Sequence, residues 1–324
     1  MPSPDNTMRA VVLRAFNAPL ELEERDIPTV RNGDESVVRV LACGICHSDL
    51  HVTENLFGSP LPLVLGHEIV AEDEQLGNVL VYAPWGCGEC RFCRATEEMI
   101  CPDGGEAGLF RDGGYAEYIR VPARRFLYPI GDLDPVQAAP LGCGGLTPYR
   151  AVKHARSWLG PGSRTLVLGA GGLGQFGIQY LRLMTDAAVH VGDPSEQKRG
   201  RGLALGAEQA AAPEDLEGPY SAVLDFVGSE DSLMHAARLV DRQGIVIAIG
   251  LFGGRIPFGV GAIPHEARFM SSIWGSRDEL AELIELAQRE PLEYTIDTMP
   301  LHRAQEAHDL IRSGQARGRI VLTP

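Results

Sequence analysis

One stretch, Gly169-Ala170-Gly171-Gly172-Leu173-Gly174, constrains the fold of this chain more than any other. It follows the apolar run 165–168 and opens a helix-compatible segment, 174–184. In G-x-G-x-x-G between a strand and a helix, each glycine answers a separate need. Gly169 allows the tight turn, Gly171 lets backbone approach a pyrophosphate, and Gly174 lets helix and strand pack closely, with Gly172 and Leu173 completing the loop. The helix start attracts the anion through its unpaired amides and positive end. A glycine turn can also be purely structural. Here, however, strand candidates at 188–191, 222–226 and 244–249 alternate with helices near 196–205 and 232–240, which predicts a parallel α/β sheet. Asp193, 19 residues after Gly174, stands at the end of one strand. Its carboxylate can accept hydrogen bonds from an adenosine ribose and repel a 2'-phosphate, which favours NAD over NADP; capping the helix that begins beside it is the alternative. Lys198 and Arg199 soften the repulsion.

The remaining sequence has another texture. Strand-like stretches at 9–12, 37–40, 61–65, 79–83 and 116–121, separated by turns such as Asn32-Gly33, predict antiparallel β-structure. Residues 137–154 are helix-compatible but interrupted by Gly142 and Gly144-Gly145, so short helices are expected. A strand at 269–274, a helix at 277–288 behind Ser276, a helix at 302–313 and a strand at 319–322 follow. At 324 residues the chain exceeds one ordinary core, and two domains are expected: 1–145 with 290–324, and 146–289. A net charge of -14 argues against a nucleic-acid backbone or an anionic membrane as partner. No apolar run of about 18 residues and no signal-like start is present, so a cytoplasmic protein with reduced thiols is expected.

Four of the seven cysteines, Cys87, Cys90, Cys93 and Cys101, form C-x2-C-x2-C-x7-C, which can close a tetrahedral thiolate cage around a structural zinc. Redox-active or simply buried thiols are the alternative. Cys46, His67 and Cys143 suggest a second zinc, since two thiolates and an imidazole suit that ion and leave a fourth position for water or an alcohol oxygen. Sequence separation leaves their convergence open, and each residue alone also reads as a core cysteine or a hydrogen-bonding histidine.

The segments CGICHSDLH, GHE, GCGECRFC, DGGYAEY, AAPLGCGGLTPY and LGAGGLGQFG resemble the zinc-dependent medium-chain alcohol dehydrogenase family over nearly the whole length. The resemblance implies an α/β protein with a GroES-like β-rich catalytic domain and a Rossmann-like parallel-sheet coenzyme domain, assembled as a homodimer or homotetramer. It implies NAD-dependent interconversion of a small alcohol and its aldehyde or ketone, with one catalytic and one structural zinc. The catalytic ligands map onto Cys46, His67 and Cys143, with Glu68 as a nearby carboxylate or alternate ligand. Ser48 and His51 map onto a proton route from the alcohol oxygen, and Arg319 in GRIV onto a basic residue near the coenzyme pyrophosphate. Cys43 reads as a small buried neighbour and Asp49 as an orienting group for His67. Leu56, Phe57, Trp85, Phe110 and Trp274 are candidates for an apolar substrate pocket. Residues 71–79, after GHE, are shorter than the family pattern, and loss of β-hairpin material there is expected. A biosynthetic dehydrogenase or carbonyl reductase for a large substrate, and a nonenzymatic nucleotide-binding protein, are the competing readings.

Overall fold

Strand Ser36–Gly44, SVVRVLACG, organises the first part of the chain because Val38, Val40 and Ala42 alternate inward while Arg39 faces out. In the computed structural model, which describes residues 6–324, this strand pairs antiparallel with Glu68–Asp73, Tyr118–Val121 and Arg319–Thr323. The sheet runs on through Gly77–Val81 and Leu127–Pro129 on one side and Ile296–Pro300 on the other. A smaller sheet joins Glu21–Asp26, Thr7–Leu13 and Leu63–Val64. No helix among the described residues is long and apolar enough to cross a membrane.

The chain divides into two compact units, one ending at Gly144 and resuming over Gly275–Pro324, the other Gly145–Trp274. The second boundary therefore falls at 275 and not at 290. Helix Arg277–Arg289, expected with the nucleotide domain, is held to the first unit by Arg277 Nε on Glu98 at 2.7 Å and by Thr96 Oγ1 donating to Asp278 at 2.9 Å.

The short segment after GHE keeps its hairpin. Glu68–Asp73 and Gly77–Val81 pair in register to Asp73 opposite Gly77, leaving a connection of residues 74–76. Asp73 Oδ1 accepts from the backbone N–H of Gln75 at 3.0 Å and Leu76 at 2.9 Å, and Gly77 takes φ +71°, the left-handed conformation that closes such a turn.

The second unit is a six-stranded parallel sheet in the order Gln209–Ala211, Ala188–Gly192, Arg164–Leu168, Tyr220–Asp225, Val240–Ala248, Arg268–Ser271. The chain winds outward from Arg164–Leu168 to one edge and then restarts beside it with Tyr220–Asp225. That reversal leaves a crevice at the carboxyl ends of the two central strands, where open α/β sheets bind ligands. Leu166, Leu168, Val223 and Val246 fill one face against Ala236 and Leu239 of helix Glu230–Leu239.

The glycine turn sits at this crevice. A Cβ on Gly174 would lie 1.9 Å from the carbonyl oxygen of Gly169, whereas one on Gly171 would meet nothing within 4 Å. Close packing explains the first glycine, and an open approach the second. Gly174→Ala should therefore lower the thermal transition, by about 1–3 kcal/mol of stability. Gly171→Ala should leave the transition near wild type while weakening dinucleotide binding about tenfold in a fluorescence titration, or roughly 1.4 kcal/mol. Equal destabilisation by the two substitutions, with unchanged binding, would contradict this division.

Candidate active site

Cys46 lies at the N-cap of the short helix His47–Thr53, and the helix starts there because Asp49 reaches back, its Oδ2 accepting the Cys46 N–H at 2.8 Å. The cap brings the Cys46 thiol in line with His67 and Glu68, which enter from the strand beginning at Glu68, and with Cys143, which follows the turn Ala139–Gly142. One ligand atom each from Cys46, His67, Glu68 and Cys143 lies within 4.8 Å of the others, and all four residues are buried. The three chain-distant residues of the sequence analysis therefore meet.

The electrostatics fit a dication. A hydrogen bond from Cys143 holds the Cys46 thiol well below its ordinary range against the opposing effect of burial, with His67 assisting. The shared hydrogen bond with Cys46 and burial push Cys143 the other way. Burial works against protonation of His67, but Asp49, with Oδ1 at 3.0 Å from Nδ1, raises its pKa. Burial lifts Glu68 to about 7, opposed by the charge of Arg319. Two facing sulfurs and an imidazole turned by a carboxylate form a buried donor set that suits zinc, which binds such ligands with loss of the thiol protons.

Glu68 is already engaged, since Oε1 accepts the Gly144 N–H at 2.9 Å and Oε2 pairs with Arg319. Arg319 is 5 % exposed, and its Nε has no hydrogen-bond partner. Ser48 Oγ is 3.8 Å from Cys46 Sγ. His51 lies one turn further along the same helix, with Nδ1 3.7 Å from Glu54 and its ring edge-on to Phe57. Cys43 is fully buried, and burial raises its thiol pKa well above the usual range, as expected of a spectator. Of the apolar candidates, Trp85 and Trp274 are buried, Phe57 and Phe110 half-buried and Leu56 exposed.

The other four cysteines also converge. Cys90 to Cys93 is 3.5 Å, Cys90 to Cys101 3.8 Å and Cys87 to Cys93 3.9 Å between sulfurs. A tetrahedral zinc with Zn–S of about 2.3 Å sets its sulfurs about 3.8 Å apart, so the cage has the right size. Backbone N–H groups of Glu89 and Cys90 point at the Cys87 sulfur at 3.5 and 3.4 Å, which favours its thiolate.

In the second unit Asp193 is 3 % exposed, with Oδ2 accepting the Ala170 N–H and Oδ1 the Ser195 N–H, each at 2.9 Å. It thereby ties the glycine turn to the next helix. Helix Glu196–Ala204 is capped by Ser195, which accepts the Lys198 N–H. Lys198 is exposed, while Arg199 is turned onto the carbonyls of Asp193 and Pro194 at 2.9 Å.

Two contributors escaped the sequence reading. Tyr115, inside DGGYAEY, donates its hydroxyl to Asp49 Oδ2 at 3.1 Å, and His308 Nε2 lies 3.1 Å from the same hydroxyl. The motif marked Tyr115 without giving it a role, and nothing in the sequence around His308 marks it.

Known proteins share this architecture. The alcohol dehydrogenase GroES-like domain family matches residues 32–132, and the zinc-binding dehydrogenase family residues 205–322. An NAD-dependent alcohol dehydrogenase of Sulfolobus acidocaldarius is 33% identical across 97% of this chain and 99% of its own. The crystal structure of an alcohol dehydrogenase from Aeropyrum pernix superposes with a TM-score of 0.89 at 31% identity, covering 98% of this chain and 100% of that one. An acetophenone reductase from Geotrichum candidum in complex with NAD gives 0.91 at 27% identity, covering 100% and 99%. The chain belongs to the zinc-dependent medium-chain alcohol dehydrogenase family.

Metal analysis should find about two zinc ions per chain, one for each donor set. Cys46→Ser should lose one of them together with turnover and keep the fold. Cys93→Ser should lose the other and open residues 87–101 to proteolysis. One zinc in the wild type, or full zinc in both variants, would refute the assignment.

Proposed function

We infer that this protein is a zinc-dependent, NAD-linked oxidoreductase that interconverts an alcohol and its aldehyde or ketone. One observation carries the inference: Cys46, His67 and Cys143, from three separate parts of the chain, converge in a buried donor set that suits zinc. When bound, zinc supplies a positive centre that polarises the substrate oxygen, and NAD takes up or returns the hydride.

The protein residues then divide the work. Cys46, His67 and Cys143 hold the ion, and their burial excludes water, which strengthens every charge interaction at the site. Ser48, beside Cys46, is proposed to exchange the proton of the substrate oxygen through Oγ. His51, three residues on and partly open to solvent, is proposed to pass that proton outward. Glu68 stays beside the ligands as a carboxylate held by Arg319 and the Gly144 N–H, and offsets the charge of the ion. Arg319 is proposed, on the resemblance of GRIV to the family motif, as a basic residue for the coenzyme pyrophosphate. Gly169, Gly171, Gly172, Leu173 and Gly174 are proposed to cradle that pyrophosphate, and Asp193, with lone pairs beyond its two amide bonds, to take the adenosine ribose. Lys198, exposed at the rim, is proposed to meet the nucleotide's outer edge.

Self-association into a dimer or tetramer is also proposed. It is supported by exposed Phe252, Phe258 and Val260 in the loop before the edge strand Arg268–Ser271. A single monomer-sized species in sedimentation at micromolar concentration would reject it.

For turnover, a panel of aliphatic and benzylic alcohols and their carbonyls should show NADH formation or consumption. Ser48→Ala should lower kcat by about 100-fold with KM little changed, the size of effect a positioned proton carrier supplies. Absence of turnover across the panel with either coenzyme would sink the enzymatic reading, and unaltered kcat in Ser48→Ala the proton route.

A further inference from the structure

Asp49 is contacted on both carboxylate oxygens. Oδ1 faces His67 Nδ1 at 3.0 Å, while Oδ2 accepts the Cys46 N–H at 2.8 Å and the Tyr115 hydroxyl at 3.1 Å. The chain of contacts continues, because His308 Nε2 lies 3.1 Å from that hydroxyl. A phenol has one proton. With it directed at Asp49, the oxygen must accept from His308, which fixes the histidine as its Nε2–H tautomer. Burial supports the neutral ring by pushing its pKa down to about 4. Donors aligned in one direction polarise each other, and water does not substitute for them, since Tyr115 is 0% and His308 1% exposed.

The tyrosine is held in place. Its N–H donates to Leu65 at 2.9 Å, its carbonyl accepts from Val11 at 2.8 Å, and its ring occupies space left by Gly66, where a Cβ would come within 2.4 Å of it. His308 meets the ring edge-on, at 5.8 Å between centroids. Its Nδ1 is buried without a hydrogen-bond partner, and the residue lines a cleft of about 310 Å³ with Asn17, Thr53, Glu54, Gln305 and Arg312. Tyr115 is held by its own backbone bonds, and His308 borders an open cleft, so substitution at 308 need not displace Tyr115.

We propose that Tyr115 and His308 are positioning residues for the metal centre: the relay from His308 through Tyr115 to Asp49 locks the carboxylate against His67 and thereby sets how firmly the imidazole holds zinc. This rests on Cys46, His67 and Cys143 being the catalytic zinc ligands. Neither residue touches substrate or metal. Their action runs through Asp49, which without Tyr115 keeps only the Cys46 amide on Oδ2 and can rotate away from His67.

The test uses the full-length protein with both zinc sites loaded, challenged with a colorimetric chelator. Partners that orient a ligating histidine change metal affinity about 10–100-fold, so a group one bond further out should alter release by about 3–10-fold. Tyr115→Phe and His308→Leu should release the catalytic zinc faster by that factor, with the four-cysteine zinc leaving at the wild-type rate. His308→Gln, whose amide N–H can replace Nε2–H, should release near the wild-type rate. The double variant Tyr115→Phe/His308→Leu should be no faster than Tyr115→Phe, because both changes cut one relay. With cobalt(II) in the catalytic site, the visible bands should shift in the same pattern.

Wild-type release from folded Tyr115→Phe and His308→Leu, additive effects in the double variant, or His308→Gln behaving as His308→Leu would overturn the relay. If Tyr115→Phe does not fold, the Leu and Gln variants at 308 decide alone. A wild-type protein that binds zinc only at the four cysteines would overturn the relay together with the ligand assignment, and is told apart by the wild-type control.

Discussion

A single buried carboxylate, Asp49, holds the catalytic centre together. It fixes the start of the helix that carries Cys46, turns the imidazole of His67 and receives the hydroxyl of Tyr115, all without exposed surface of its own. An isolated charge in such a place is strongly unfavourable, so these partners are a condition of its being there. Much of the local geometry follows. The helix begins where the carboxylate can cap it, and the capping residue is the one whose sulfur faces His67 and Cys143.

The two metal sites solve opposite problems with related chemistry. At the four-cysteine loop the sulfurs complete a shell, and backbone amides at Glu89 and Cys90 stabilise negative sulfur near the surface. The ion there substitutes for a core that a short loop cannot build. At the buried site, Cys46, His67, Glu68 and Cys143 offer donors away from solvent, and their surroundings orient them: a carboxylate behind the histidine, and an arginine and a backbone amide on Glu68. A closed shell stabilises structure, whereas an open one admits a substrate.

Much of this was legible in the sequence, for identifiable reasons. The glycine turn could be read because its spacing reflects contacts within one strand–turn–helix unit, and the thiolate cage because its ligands are close in the chain. The convergence of Cys46, His67 and Cys143 was not readable from residue spacing, since sheet pairing brings them together; there the resemblance supplied the expectation. Strand Glu21–Asp26 was missed because ELEERD, on the sheet's outer edge, shows almost no apolar alternation. The boundary at 275 was missed because the amphipathic helix Arg277–Arg289 reads alike on either unit, and the decisive contacts are polar ones to Thr96 and Glu98. His308 left no trace, for a single histidine in a surface-type helix gains meaning only from the tyrosine it meets.

Strand Arg319–Thr323 lies between Ser36–Gly44 and Ile296–Pro300, and Arg319 neutralises Glu68. On the ribosome, the N-terminal half of that sheet must wait for the emergence of a stretch made after the whole of Gly145–Trp274. The contiguous parallel-sheet unit can collapse while the sheet of the first unit still lacks an interior strand and the arginine that neutralises Glu68. During synthesis, then, the nucleotide half is complete before the metal half can close, and Cys46, His67 and Cys143 stay within reach of stray metals and oxidants for that interval.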